Sequence, residues 1–107
     1  MDSIFSHPPD SSPSLPGPFD LFRLGNILAT PGALDLLDRT GTNAATVLAR
    51  HQRGDFGTVN VDDAQANKEA AATGCRIMSA YLFGNERLWI ITEADRSSTT
   101  LLLPEEY

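Results

Sequence analysis

The chain has 107 residues, with 14 Asp and Glu against 8 Lys and Arg, and a formal net charge of −6. This length allows one ordinary domain, and so small a domain leaves little room to enclose a large cofactor. An acidic surface repels phosphate backbones. The composition therefore disfavours direct binding to DNA or RNA and favours basic protein partners.

The chain has a single cysteine, Cys75, which cannot form an internal disulfide, and no group of cysteines and histidines has metal-ligand spacing. No apolar run approaches the roughly 18 residues of a membrane span. The N-terminal residues lack the basic and apolar regions of a secretory signal. These features predict a cytoplasmic protein with no metal, no cofactor and no membrane association.

Proline and serine dominate residues 1–20, which hold five of the seven prolines of the chain. Such a segment has too little apolar surface to offset the entropy lost on ordering. We predict a disordered arm over residues 1–20, followed by a single small domain over residues 21–107.

Helix signals begin at Thr30, a good N-cap, and Pro31, which suits the first turn. A second helix is predicted to begin at Thr42 or Asn43, and a third at Asn60. Glycines are predicted to end the three helices: Gly41, Gly54 and Gly74. The predicted apolar stripe of the first helix is Ala33, Leu34, Leu36 and Leu37, and that of the third is Ala64, Ala66, Ala70 and Ala71.

Three runs with strand character follow, in residues 75–83, 87–95 and 99–104. The turns between them are short, so the strands must pair antiparallel. The fold class predicted is α+β, with two or three helices packed on a three-stranded antiparallel β-meander. Residues 21–29 are predicted to be a short strand or a lead-in over the core, and Cys75 to be a small buried side chain.

Four segments together resemble a family of short, uncharacterised bacterial proteins found on plasmids, phages and accessory regions. They are PGAL (31–34), LARHQRGDFG (48–57), GCRIMSAY (74–81) and WIITEADRSSTTLLLPEEY (89–107). The similarity covers residues 24–107, with Phe56 standing where the family pattern has tryptophan. The resemblance implies a mobile-element setting and leaves the activity open.

One hypothesis from the residues is a metal-independent ribonuclease or toxin-like enzyme. Such sites combine a carboxylate base, a histidine acid and an arginine that stabilises the phosphorane. His51, Glu93, Arg96 and Thr99 supply these types. The structural alternative is favoured, because Glu93 and Arg96 are natural ion partners at a turn and His51 suits a helix end.

The other hypothesis is binding to a basic surface of a host protein that handles nucleic acid. The candidate contacts are the carboxylates Glu93, Asp95, Glu105 and Glu106 and the aromatic rings of Trp89 and Tyr107. On this reading the protein is a small acidic accessory protein of a mobile element, of anti-CRISPR or anti-restriction type. We take this as the main functional prediction.

Overall fold

The computed structural model describes residues 20–107, so the predicted arm over residues 1–20 lies outside the described residues except for Asp20. The described chain is α+β, as the sequence predicted. Its elements in order are β1 (Asn26–Ala29), α1 (Pro31–Thr40), α2 (Ala44–Gln52), α3 (Val61–Thr73), β2 (Ile77–Phe83), β3 (Glu86–Thr92), β4 (Ser98–Leu102) and a 3₁₀ turn (Pro104–Glu106).

The sheet has four strands in the order β1-β4-β3-β2, and it is mixed. The β2, β3 and β4 strands form the predicted antiparallel meander, whereas β1 lies parallel to β4 with Ile27 opposite Thr99. The prediction of a three-stranded antiparallel sheet is therefore wrong in its detail. The strand that the prediction lacks is β1. It has only four residues, three of them exposed, so its sequence shows no alternating pattern.

Local signals set the ends of α1 as predicted. The Thr30 hydroxyl oxygen accepts from the Ala33 amide at 3.2 Å, and Gly41 ends the helix with φ 66°. Placing Leu34 in the apolar stripe was wrong, because its side chain is 57% exposed while Leu36 is buried. Leu34 lies about 100° around the helix from Ala33 and points away from the sheet.

The main core lies between α1, α2 and one face of the sheet, which we call the first face. Its buried residues are Ala33, Leu36, Leu37, Val47, Leu48, Tyr81, Leu88, Ile90 and Leu101. A smaller cluster consists of Phe22, Phe56, Ala70 and Ile77. The lead-in before β1 thus packs over the core through Phe22, and residues 21–29 fulfil both predicted roles.

The α3 helix lies along the outer edge of β2. It begins at the predicted cap Asn60, whose side chain accepts from the Asp63 amide at 2.8 Å. Of its alanines only Ala70 is buried, and the prediction that Ala66 faces the core was wrong. Asn67 takes the inward position instead. Its amide nitrogen donates to the Met78 carbonyl at 2.8 Å, and its oxygen accepts from the Met78 amide at 3.2 Å.

The other outward backbone groups of β2 are bonded by the loop after α2. The Ala80 amide donates to the Phe56 carbonyl at 3.1 Å, and the Ala80 carbonyl accepts from the Thr58 amide at 2.7 Å. Gly57 bridges Ala80 with φ 75°, and a Cβ there would lie 1.9 Å from the Ala80 oxygen. This close approach requires glycine.

Cys75 is exposed, so its prediction as a buried side chain was wrong. It lies between Gly74, which ends α3 in the left-handed region, and the first residue of β2. Its backbone is bonded on both sides, since the Cys75 amide donates to the Ala70 carbonyl at 3.2 Å and the Cys75 carbonyl accepts from Arg96 at 2.6 Å.

The second face of the sheet carries the alternate residues. They are Leu28 of β1, Met78, Ala80 and Leu82 of β2, Arg87, Trp89 and Ile91 of β3, and Thr100 and Leu102 of β4. Neither core cluster contains any of these residues. Ile91 and Leu102 are buried near its middle, whereas Leu28 and Leu82 are about half exposed.

Asn67→Ala tests whether the side-chain amide stabilises the edge of β2. We expect the free energy of unfolding to fall by roughly 1–3 kcal/mol, because two Met78 backbone groups lose their partners. Urea denaturation measures the change. The exposed neighbour provides the control, since Lys68→Ala should leave stability within about 0.5 kcal/mol of wild type. Equal stability of the two variants contradicts this role.

Candidate functional site

The β3–β4 connection is a tight turn built around Arg96. Arg96 has φ 60°, in the left-handed region that non-glycine residues seldom adopt, and its amide donates to the Glu93 carbonyl at 2.9 Å. The Asp95 side chain accepts from the Ser97 amide at 2.9 Å, which completes an Asx turn. This turn directs the Arg96 side chain back across the end of α3.

Carbonyl oxygens hold the Arg96 guanidinium in place. Its Nη1 donates to the Cys75 oxygen at 2.6 Å, and its Nη2 donates to the Ala70 oxygen at 2.8 Å. The guanidinium also lies over the Phe22 ring, 5.6 Å from its centroid. The Ala70 carbonyl already accepts from the Gly74 amide, and a cation at the C-terminus of a helix adds a favourable interaction with the helix dipole. Arg96 therefore ties α3, the lead-in and the hairpin together.

His51 is completely buried beneath the first face. Its Nδ1 lies 2.5 Å from the Ser79 hydroxyl, and its Nε2 lies 2.9 Å from the Thr92 hydroxyl. The edges of two aromatic rings enclose it, with centroid separations of 5.1 Å to Phe22 and 6.3 Å to Phe56. The imidazole thus links α2 to β2 and β3.

The hydroxyl chain beyond His51 fixes the position of its proton. Thr99 donates its only hydroxyl proton to the Leu24 carbonyl at 2.7 Å, so in its 2.8 Å contact with Thr92 it must accept. Thr92 therefore donates to Thr99 and accepts from Nε2–H of His51. Nδ1 is left as an acceptor for the Ser79 hydroxyl. We assign the neutral Nε2–H tautomer from this network.

Burial and, as the smaller cause, the positive charge of Arg96 together lower the pKa of His51 from 6.5 to about 3. A histidine with so low a pKa is neutral at physiological pH. Every polar atom of the imidazole is also bonded within the chain. The arrangement holds α2 on the sheet and leaves no ring nitrogen to transfer a proton to a substrate.

The four residues of the ribonuclease hypothesis do not share an accessible cleft. His51 and Thr99 are joined through Thr92, but both are 0% exposed, so a substrate reaches neither unless the core opens. The Phe22 ring packs against both Arg96 and His51. Glu93 is exposed at the surface.

Three of the residues predicted to bind a partner lie on the second face. The Trp89 and Tyr107 rings meet edge to face with centroids 5.6 Å apart. Arg76 donates to the Tyr107 hydroxyl at 2.6 Å, and its guanidinium lies 5.4 Å from the centre of that ring. Glu93 follows β3 and lies on the same face as Trp89 and Ile91. The pKa of Arg76 is raised mainly by its hydrogen bond to Tyr107 and to a smaller extent by the negative charge of Glu93.

Of the remaining residues predicted to bind a partner, two are exposed at the surface and one stabilises the start of α1. Glu105 is exposed near the start of β3, and Asp95 is exposed in the β3–β4 turn. Glu106 is turned inward to α1, where its carboxylate accepts from the Thr30 hydroxyl at 2.5 Å and from the Gly32 amide at 3.1 Å. These hydrogen bonds lower the pKa of Glu106, the Thr30 bond most. Its carboxylate stabilises the helix N-terminus.

Two surface depressions lie in the described part of the chain. One, of about 280 Å³, is lined by Glu86, Arg87 and Glu105 among others. The other, of about 550 Å³, lies beside α2 and is lined by Arg50 and Arg53 among others. Neither is lined by a residue of the ribonuclease hypothesis. In residues 20–107, no three His, Cys, Asp or Glu side chains gather as a metal site.

Sequence reasoning missed Ser79, Thr92 and Arg76. The sequence carried a signal for two of them, because Ser79 and Thr92 lie two residues from buried apolar residues of their strands and so share the buried face of the sheet. Polar side chains at such positions require a partner, and the nearby buried histidine supplies it. No local pattern identifies Arg76 as the partner of Tyr107, which lies 31 residues away.

No helix among the described residues combines the length and apolar character needed to cross a membrane. Comparison of the chain with protein-family models, with curated proteins and with solved structures gives no match.

Wild type and His51→Leu test the pH dependence that follows from the buried imidazole. The unfolded state takes up a proton near pH 6.5, and the folded state does so only near pH 3. The contribution of the neutral His51 to the free energy of unfolding is therefore fully present above pH 6.5 and is lost as the pH falls from 6.5 towards 3. Between pH 7 and pH 5 wild type should lose about 2 kcal/mol more than the variant.

Urea denaturation at both pH values measures this difference. The carboxylates stay largely ionised down to pH 5, and they are common to both proteins, so their contribution cancels. The variant should start about 1–3 kcal/mol less stable at pH 7, because Ser79 loses its acceptor. Parallel losses in the two proteins contradict the buried neutral state.

Arg96→Lys tests the guanidinium as a structural tie. A lysine keeps the charge but cannot reach the Ala70 and Cys75 carbonyls in the same planar geometry. We expect a loss of roughly 1–3 kcal/mol in the free energy of unfolding. Arg87→Lys is the matched control at an exposed position of β3 and should change stability by less than about 0.5 kcal/mol. Equal values for the two variants contradict the assignment.

Proposed function

We propose that the protein is a small acidic accessory protein that binds a basic surface of a host protein and modulates or inhibits it. The host protein is one that handles nucleic acid, and an anti-CRISPR or anti-restriction action is the concrete form of the proposal. The observation that carries it is an imbalance of charge at the surface. Most Lys and Arg side chains of residues 20–107 are bonded to other groups of the protein, whereas most carboxylates form no ion pair.

The cations of residues 20–107 are largely used in internal contacts. All 8 Lys and Arg lie in this range, together with 12 of the 14 acidic residues, since only Asp2 and Asp10 precede it. Ion pairs join Arg39 to Asp35 and Glu86, Arg50 to Asp55, and Arg53 to Asp20. Arg76 and Arg96 are held by Tyr107 and by backbone carbonyls. Arg23, Lys68 and Arg87 are left for the surface.

The carboxylates have the opposite distribution. Apart from Glu106, which is hydrogen-bonded to the start of α1, seven carboxylates in the described part of the chain form no ion pair: Asp38, Asp62, Asp63, Glu69, Glu93, Asp95 and Glu105. All seven are exposed. A surface of this kind attracts a positively charged protein groove and repels a phosphodiester backbone.

The setting of the proposal comes from the sequence resemblance, which implies a mobile genetic element. Proteins that handle nucleic acid present basic grooves, and an acidic protein competes for such a groove by charge. The Trp89 and Tyr107 pair supplies an aromatic anchor beside Glu93. Aromatic residues near the centre of an interface contribute a large share of the binding energy.

Paired charge reversals test where the partner docks. Proteins retained from a host lysate identify the candidate, and the purified partner is then titrated by calorimetry. Glu93→Lys with Glu105→Lys should weaken binding by about tenfold or more, since each reversal replaces attraction with repulsion. Glu106 is left intact because it caps α1.

Asp38→Lys with Glu69→Lys is the matched control, because it changes the net charge by the same amount on α1 and α3. Binding to the purified partner that falls equally in both double variants overturns the location, and binding that falls in neither overturns the electrostatic basis. Cleavage of a labelled RNA by purified wild type, abolished by His51→Leu in a folded protein, overturns the proposal in favour of the ribonuclease hypothesis.

A further inference from the structure

The two edges of the sheet differ in their hydrogen bonding. At the β2 edge the outward groups of Met78 and Ala80 are bonded by the Asn67 side chain and by the loop at Phe56 and Thr58. At the β1 edge, no residue between 20 and 107 takes up this role. Exposed strand edges of this kind are templates for pairing with another strand.

The direction of the β1 backbone follows from its bonds to β4. The Asn26 amide donates to the Ser97 carbonyl and the Thr30 amide to the Leu101 carbonyl, both at 3.0 Å. Backbone direction alternates along a strand, so the amides and carbonyls of Ile27 and Ala29 point away from the sheet. They form a row of two donors and two acceptors at the edge.

Apart from its short length of four residues, the β1 edge lacks the features by which proteins commonly prevent strand pairing. Asn26–Ala29 contains no charged residue and no proline. Leu28, on the second face, is 52% exposed. An apolar side chain midway along an unpaired, uncharged strand is well placed for contact with another strand.

We propose that β1 pairs antiparallel with β1 of a second copy of this chain. With Leu28 opposite Leu28 of the partner subunit, Ile27 of each copy faces Ala29 of the other. These two positions then exchange four backbone hydrogen bonds. The central leucines form a non-hydrogen-bonded pair, in which side chains approach most closely.

The strand is self-complementary about Leu28, and this symmetry favours a second copy over an unrelated segment. The outward groups, the exposed leucine and the two-fold axis coincide in a single register. Pairing joins two four-stranded sheets into one of eight strands. This inference does not depend on the partner proposed above, which is assigned to carboxylates elsewhere.

The dimer is reversible and depends on concentration and salt. A four-residue strand pair buries less than the roughly 1,000 Å² of a stable interface. Each copy carries a formal charge of −6, so the copies repel at low ionic strength. Added salt screens that repulsion and should strengthen the association.

Hydrogen exchange of the full chain at rising protein concentration tests the pairing residue by residue. Protection of the Ile27 and Ala29 amides should increase with concentration, while the amides of Met78 and Ala80, already bonded, should not change. Sedimentation velocity over the same range should show a monomer–dimer equilibrium that shifts to dimer as salt rises. A monomer at every concentration and salt overturns the proposal.

Two substitutions at one position separate pairing from folding. Ala29→Pro removes an outward amide without removing a bond to β4, and Ala29→Ser keeps that amide. The proline variant should be monomeric, with the tryptophan fluorescence of the wild-type fold, and the serine variant should dimerise like wild type. Leu28→Lys, which places like charges opposite each other, should also be monomeric. Undiminished dimerisation of Leu28→Lys overturns the proposal.

Discussion

A neutral imidazole buried among hydroxyl groups is the interaction on which the fold depends most. His51 connects α2 to Ser79 of β2 and Thr92 of β3, and the chain continues through Thr99 of β4 to the Leu24 carbonyl. Each donor in this chain has one acceptor, so the network has a single satisfied arrangement. A half-satisfied network of this kind is costly in a low-dielectric core, and this requirement selects one position for α2.

Arg96 and Glu106 likewise use directed polar contacts to fix the ends of two helices. Arg96 binds carbonyls at the C-terminus of α3, and Glu106 binds donors at the N-terminus of α1. In each case a charge of the favourable sign lies against the helix dipole. A domain of this size has little apolar core, so directed polar contacts contribute to fixing where each helix lies. Arg96, a charged group that suggests catalysis in the sequence, is one of the groups that position the helices.

Local chemistry made much of the fold predictable. Thr30, Asn60, Gly41 and Gly74 mark helix ends by interactions within a few residues, and the three-stranded meander follows from short turns. The β1 strand was harder, because its pairing with β4 joins residues about 70 positions apart and its four residues show no period. Leu34, Ala66 and Cys75 were misplaced because composition alone does not fix which side of a helix or connection faces the core.

The candidate site was predictable only in its residue types. His51, Glu93, Arg96 and Thr99 are typical of nuclease chemistry, and sequence spacing says nothing about whether their polar atoms face one cleft or bind the protein itself. Three of them have their polar groups bonded within the chain. The charges that these contacts do not use stay at the surface. Contacts within residues 20–107 engage most of the cations and leave most of the carboxylates unpaired at the surface, so the excess of acidic residues in the sequence is displayed there. This acidic surface keeps its sign wherever the fold is intact, as the proposed binding to a basic protein groove requires.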